Sequence, residues 1–488
     1  MSQSYTVTAV AAVVVATVLV GGFGLRISRT TSDFYVASRT VGPSLNAAAI
    51  SGEYLSAASF LGVAGLVLLH GPDMLWYPVG YTAGYLVLLV FVAAPLRRSG
   101  AYTLPDFAEG RLESRAVRRL VSVFVVGAGW LYLVPQLQGA GLTLKILTGV
   151  PGWFGGVLVA LVVVVAVAAG GMRSITFVQA FQYWLKLTAL LVPAVFLLLA
   201  WQGDGRPAFD VVRAASGVGR VDHPLYATYG LIVATFLGTM GLPHVVVRFY
   251  TSPNGRAARR TTVFVLALIG VFYLLPPVYG ALGRLYVPEL SYGTEADAAV
   301  LLLPERAIGG LAGDLLGALV AGGAFAAFLS TASGLTMAVA GVLTQDVLPS
   351  RGVRHFRLAT PLAMVVPLGG SMLVSGAPLA DSVAMAFAVS ASSFCPLLVL
   401  GIWWRGLTAP GAAAGLLLGG GLSFAATVIT VSGAVTDGWP RALLAWPAVW
   451  SVPVGFLAMI LVSLATRGRI PPGTNAAMAR FHLPEGLT

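Results

Sequence analysis

The chain has 488 residues, of which 57% are hydrophobic and only 10% charged, against roughly 25% charged in a soluble domain. That deficit excludes a protein whose surface mostly meets water, and the single cysteine, Cys395, excludes an intrachain disulfide. The formal charge of +11 calls for no nucleic-acid partner, because the basic residues lie in short loops between apolar runs.

A membrane span needs about 20 mostly apolar residues. By that measure the chain holds thirteen: 6–25, 44–69, 74–95, 119–143, 152–171, 175–200, 225–249, 262–284, 310–343, 359–376, 380–403, 409–432 and 444–465. The first has no basic leader and no small-residue cleavage site, so it reads as a retained helix. With the N-terminus outside, 21 of the 29 Lys and Arg residues fall on the inner side. The positive-inside rule then predicts a multi-pass cell-membrane protein with a cytoplasmic C-terminus. No loop is long and polar enough to form a separate soluble domain.

Irregular backbone survives at membrane depth only where it is buried in protein or lines a cavity. Two spans are expected to break. In the second, Ser51-Gly52-Glu53 makes a poor lipid-facing helix; in the seventh, Gly238-Thr-Met-Gly-Leu-Pro-His244 combines two glycines with a proline. Each opens a possible five-helix unit, spans 2–6 and 7–11. Interrupted helices at matching positions of two halves point to a transporter binding site. The alternative is ordinary kinks and small-residue packing.

Glu53 is the acidic residue that cannot be placed near a helix end. A mid-membrane carboxyl is a functional-site candidate, as a coupling-ion or proton site, or else a structural hydrogen-bonding group. Lys186 lies near the middle of span 6, where it can pair with Glu53, attract an anionic substrate or lose its proton on burial. Ser330, Thr331 and Ser333 sit deep in span 9. Their hydroxyls suit a hard cation, or simply bond a carbonyl one turn back. Gln136 and Gln138 in span 4 are substrate donors or interhelical glue. Gly241, Pro243 and His244 form a gating candidate at the second break. The five histidines lack metal-ligand spacing, and no hydrolase elbow, zinc motif or phosphate loop is present. An enzyme is therefore not expected. A membrane-embedded sensor is a weak alternative, since the chain runs only about 23 residues beyond the last span.

Several stretches resemble the sodium:solute symporter family. They are Tyr35-Val-Ala-Ser-Arg-Thr-Val-Gly42, Glu53-Tyr-Leu-Ser-Ala-Ala-Ser-Phe-Leu-Gly62, Tyr102-Thr-Leu-Pro-Asp-Phe107, Gly170-Gly-Met172 with Val178-Gln179, Gly238 through Phe249, and Ala327-Phe-Leu-Ser-Thr331. The runs from Glu53 and from Gly241 look most like the cation–acetate or monocarboxylate branch.

The resemblance implies an all-α membrane fold of about thirteen helices with a LeuT-type inverted five-helix repeat. The segments are then 1–43 (N-terminal helix and loop), 44–200 (first repeat), 225–403 (second repeat) and 404–488 (two C-terminal helices and tail). It implies sodium ligands at the carbonyls of Gly52, Leu55 and Ala327 and the hydroxyls of Ser330 and Thr331. Where many sodium-coupled members carry a second acid, three residues before Gln179, this chain has Thr176.

The expected function is sodium-coupled import of acetate, propionate or pyruvate by alternating access, with the anion near Glu53, Gln136 and Lys186. The partners are then a small organic anion, sodium and the lipid bilayer, with no cofactor beyond the coupling ion. Proton coupling, or another organic solute such as an amino acid, is the alternative.

Overall fold

The computed structural model describes residues 3–27, 31–208, 223–292, 295–347, 352–373 and 378–483. Most of the expected loop 201–224 lies outside them. The membrane helices, in chain order, are α1 (Gln3–Ile27), the bent pair α2 (Pro43–Tyr54) and α3 (Ala58–His70), and α4 (Pro72–Ser99). A short α5 (Leu104–Leu112) precedes α6 (Arg115–Thr148) and α7 (Trp153–Gly203). Then come the bent pair α8 (Pro224–Gly241) and α9 (Pro243–Phe249), and α10 (Gly255–Tyr286). After them run α11 (Ala299–Ala307), α12 (Gly310–Val342), α13 (Val353–Leu373), α14 (Leu379–Trp403), α15 (Ala409–Val431) and α16 (Ala448–Ala465).

Ten helices of the described residues are long and apolar enough to cross a bilayer, and the two bent pairs raise this to twelve. The α7 element spans 51 residues. A straight helix of that length would measure about 77 Å, more than twice the ~30 Å hydrocarbon core. It folds at Gly171, whose φ of +58° is left-handed and whose missing Cβ makes room for the Phe34 ring. This break separates the two spans expected at 152–171 and 175–200.

Both predicted breaks are present. α2 and α3 meet at 71°, and α8 and α9 at 41°. The first break lies later than expected. Helix persists through Ser51-Gly52-Glu53, because Leu55 N–H still bonds the Ser51 carbonyl, and the irregular backbone is Leu55 and Ser56. The second falls at Leu242 (φ −61°, ψ 117°), immediately before Pro243, which has no N–H to continue the ladder.

α12 and α14 are the most deeply buried of the long helices, and in α12 Val320 through Val342 are all buried. It packs along α7, which α2 also crosses, while α14 lies against α8. Large apolar side chains such as Val123, Leu161 and Leu274 face outward, as expected of a lipid-facing belt. The two breaks and the hydroxyls of α12 thus meet in the protein interior.

Candidate functional site

A helix end leaves carbonyls without intrahelical donors, and buried ones must find other partners. At the end of α2 those partners are side chains from α7 and α12. The Lys186 ammonium donates to the Gly52 carbonyl, to the Leu55 carbonyl (2.8 Å) and to Ser330 Oγ (2.9 Å). Ser330 Oγ in turn donates to the Ala327 carbonyl at 3.1 Å, and Thr331 Oγ1 donates to the Glu53 carbonyl at 2.6 Å. The five oxygen-bearing residues expected as sodium ligands are therefore gathered in one buried cradle, and each contributes its oxygen to a bond within the protein.

Lys186 does not pair with Glu53. Glu53 Oε2 accepts from Arg248 Nε at 2.6 Å, with both side chains at most 2% exposed. The Arg248 guanidinium also donates to Thr176 Oγ1 (2.8 Å) and to Gln179 Oε1, and Gln179 Nε2 donates to the Ser330 carbonyl at 2.7 Å. Two glycines make this possible. A Cβ at Gly52 would collide with the Gln179 carbonyl, and one at Gly334 would collide with the Glu53 carboxylate. The position where the resemblance expects an acid, Thr176, thus accepts a hydrogen bond from a protein cation.

Gln136 has both amide groups engaged. Its Oε1 accepts from Ala57 N–H at 2.9 Å, which caps the start of α3, and its Nε2 donates to the Tyr132 carbonyl at 3.3 Å. Gln138 is half-buried. At the second break, Gly241 lies against α14 at Phe394 and Ser390, and Pro243 opens α9. The His244 ring packs edge-on to Tyr132, centroids 5.2 Å apart. His244 is 1% exposed, yet neither ring nitrogen has a hydrogen-bond partner among the described residues. Tyr132 also meets Phe387 of α14, so three helices converge on this ring pair.

Sequence reasoning missed Arg248 by counting it among the 21 basic residues of the inner side. It lies in the second turn of α9 and is 1% exposed. The signal was available: Val245 to Val247 before it and Phe249-Tyr250 after it keep it within apolar sequence, one turn from His244.

A model of the sodium:solute symporter family matches residues 34–419. The chain belongs to the sodium:solute symporter family. Among the family's curated proteins it is similar to the uncharacterized symporter YwcA of Bacillus subtilis, 31% identical over 472 residues and covering 91% of each chain. It is also similar to a monocarboxylic acid transporter of Corynebacterium glutamicum, 29% identical over 485 residues, covering 89% of this chain and 87% of that one.

Its fold matches a substrate-bound, outward-open Na+-coupled sialic acid symporter with a TM-score of 0.71 at 13% identity, covering 94% of this chain and 97% of that one. The closed nucleobase-cation-symport transporter MHP1 matches with a TM-score of 0.58 at 14% identity, covering 93% and 99%. The fold is thus the all-α LeuT type, and this family member is a multi-pass membrane transporter, not an enzyme.

Proposed function

We propose that this protein imports a small monocarboxylate together with a cation by alternating access. The observation that carries the reading is the meeting of two bent helices at a buried polar centre holding one acid, Glu53, and two bases, Lys186 and Arg248. The fixed charge left over is positive, which complements one carboxylate. The Corynebacterium relative, a monocarboxylic acid transporter, supports the same substrate class. His244, buried beside Tyr132 with unpaired ring nitrogens, is the group we assign to the carboxylate, because buried polar atoms without partners are uncommon in folded proteins.

The family resemblance supports a first reading in which sodium is the coupling cation, at Gly52, Leu55, Ala327, Ser330 and Thr331. One observation favours a second reading, in which a proton accompanies the anion: Lys186 already engages three of those five residues. In either case the cation and the anion must favour the closed state jointly, since only differential stabilisation couples two ligands. One positive charge moving with one monocarboxylate is electroneutral, so a concentration gradient and not the membrane voltage drives uptake.

Proteoliposome uptake of labelled acetate or pyruvate tests the proposal. We expect saturable accumulation that other short monocarboxylates compete away. No uptake of any short monocarboxylate under either a sodium or a proton gradient would reject it.

A further inference from the structure

We propose that the Lys186 ammonium is a tethered substitute for sodium, so that the cradle between α2 and α12 binds no free sodium ion. The inference rests on reading the chain as a symporter of this family, but not on the identity of its substrate.

Three acceptors are matched by three donors. An ammonium has three N–H groups, and Lys186 directs them at the Gly52 carbonyl, the Leu55 carbonyl and Ser330 Oγ. The remaining expected ligands are engaged as well: the Ala327 carbonyl accepts from the Ser330 hydroxyl, and the Thr331 hydroxyl donates to the Glu53 carbonyl. A hard cation needs the same oxygens. It would have to displace the ammonium from all three and share the cradle with its charge. Two unit charges about 4 Å apart at an effective dielectric of 20 repel enough to lower sodium affinity by about a thousandfold.

Three oxygen acceptors around the amine suit its protonated, three-donor form. On α2, Glu53 is the charged group that acts on Lys186, and its carboxylate is already held by Arg248 of α9. The α12 groups that meet the amine and the end of α2, Ser330 and Thr331, carry no charge. With Lys186 protonated, the trio with Glu53 and Arg248 carries a net charge of +1, the value a single bound carboxylate would cancel. With sodium added, the centre would hold two uncompensated charges.

The test needs no organic substrate. Equilibrium binding of radioactive sodium is measured on the purified, detergent-solubilised full chain as wild type, Lys186→Ala and Ser330→Ala. We expect no saturable binding to the wild type in the millimolar range, and a gain of sodium affinity of about tenfold or more in Lys186→Ala. Saturable sodium binding by the wild type that Ser330→Ala abolishes overturns the proposal, and that result does not depend on how well Lys186→Ala folds. Failure to transport monocarboxylates would overturn the substrate reading and leave this assignment standing.

Discussion

The two helix breaks solve the same problem in opposite ways. At the first, side chains of the protein satisfy the backbone groups that the break frees: Lys186 and Thr331 meet the carbonyls of Gly52, Leu55 and Glu53, and Gln136 meets the Ala57 N–H. At the second, His244 is as deeply buried but keeps two ring nitrogens without partners among the described residues. The first break thus forms a lock holding α2 against α7 and α12, and the second is where we propose that a ligand's polar atoms are received.

The sharpest way to break the contrast is to unpair the lock. Arg248→Met leaves the Glu53 carboxylate buried without its partner, which should destabilise the protein by about 3–5 kcal/mol. Thermal unfolding of the purified variant checks this, and Arg248→Met combined with Glu53→Gln should recover a large part of the loss.

The next effect concerns the clamp on the far side of α3. Asp297 is buried against Gly65, and its Oδ2 accepts from the Leu379 N–H at 2.9 Å, joining the second half of the first break to the start of α14. Burial pushes its carboxyl up from 3.8 to about 6; the Leu379 bond opposes this and the nearby Asp381 adds to it. Because the folded-state value is raised, this contribution to stability is full below 3.8 and is lost as pH rises through about 6. Melting temperature should therefore fall between about pH 4 and about pH 6, by the equivalent of at most about 3 kcal/mol, and level off above. Asp297→Asn should flatten that dependence.

Gln136→Leu removes the acceptor for the Ala57 N–H and should cost about 1–3 kcal/mol, again read by thermal unfolding. The smallest stability effect is expected at the open break. His244→Phe removes no hydrogen bond within the described protein, so stability should change by less than about 1 kcal/mol, while the KM for the transported anion rises. Equal losses of stability in His244→Phe and Gln136→Leu would erase the distinction between the two breaks.

Much of the fold was legible in hydropathy alone, because lipid forces spans into long apolar helices. The split of the 51-residue α7 at Gly171 agrees with the two spans expected there. The position of the first break was not legible: Gly52 and Glu53 weaken a helix in lipid, but here they lie inside protein, where the Ser51–Leu55 bond is kept. The cradle residues were named from the family resemblance, and they do come together. Hydropathy and span order could not reveal that Lys186 points into that cradle, because its span gives depth but not rotation about the helix axis. Arg248 was lost for a related reason: a charge near a span end reads as a loop residue until its buried partner, Glu53, is known.

The most direct test of the lock is initial uptake of labelled pyruvate or acetate by proteoliposomes at fixed pH, with all sodium replaced by choline. With the cradle filled by Lys186, the rate should be the same in both media and should respond to an imposed pH gradient. Uptake that collapses in choline and is restored by sodium in a Ser330-dependent manner would contradict the account.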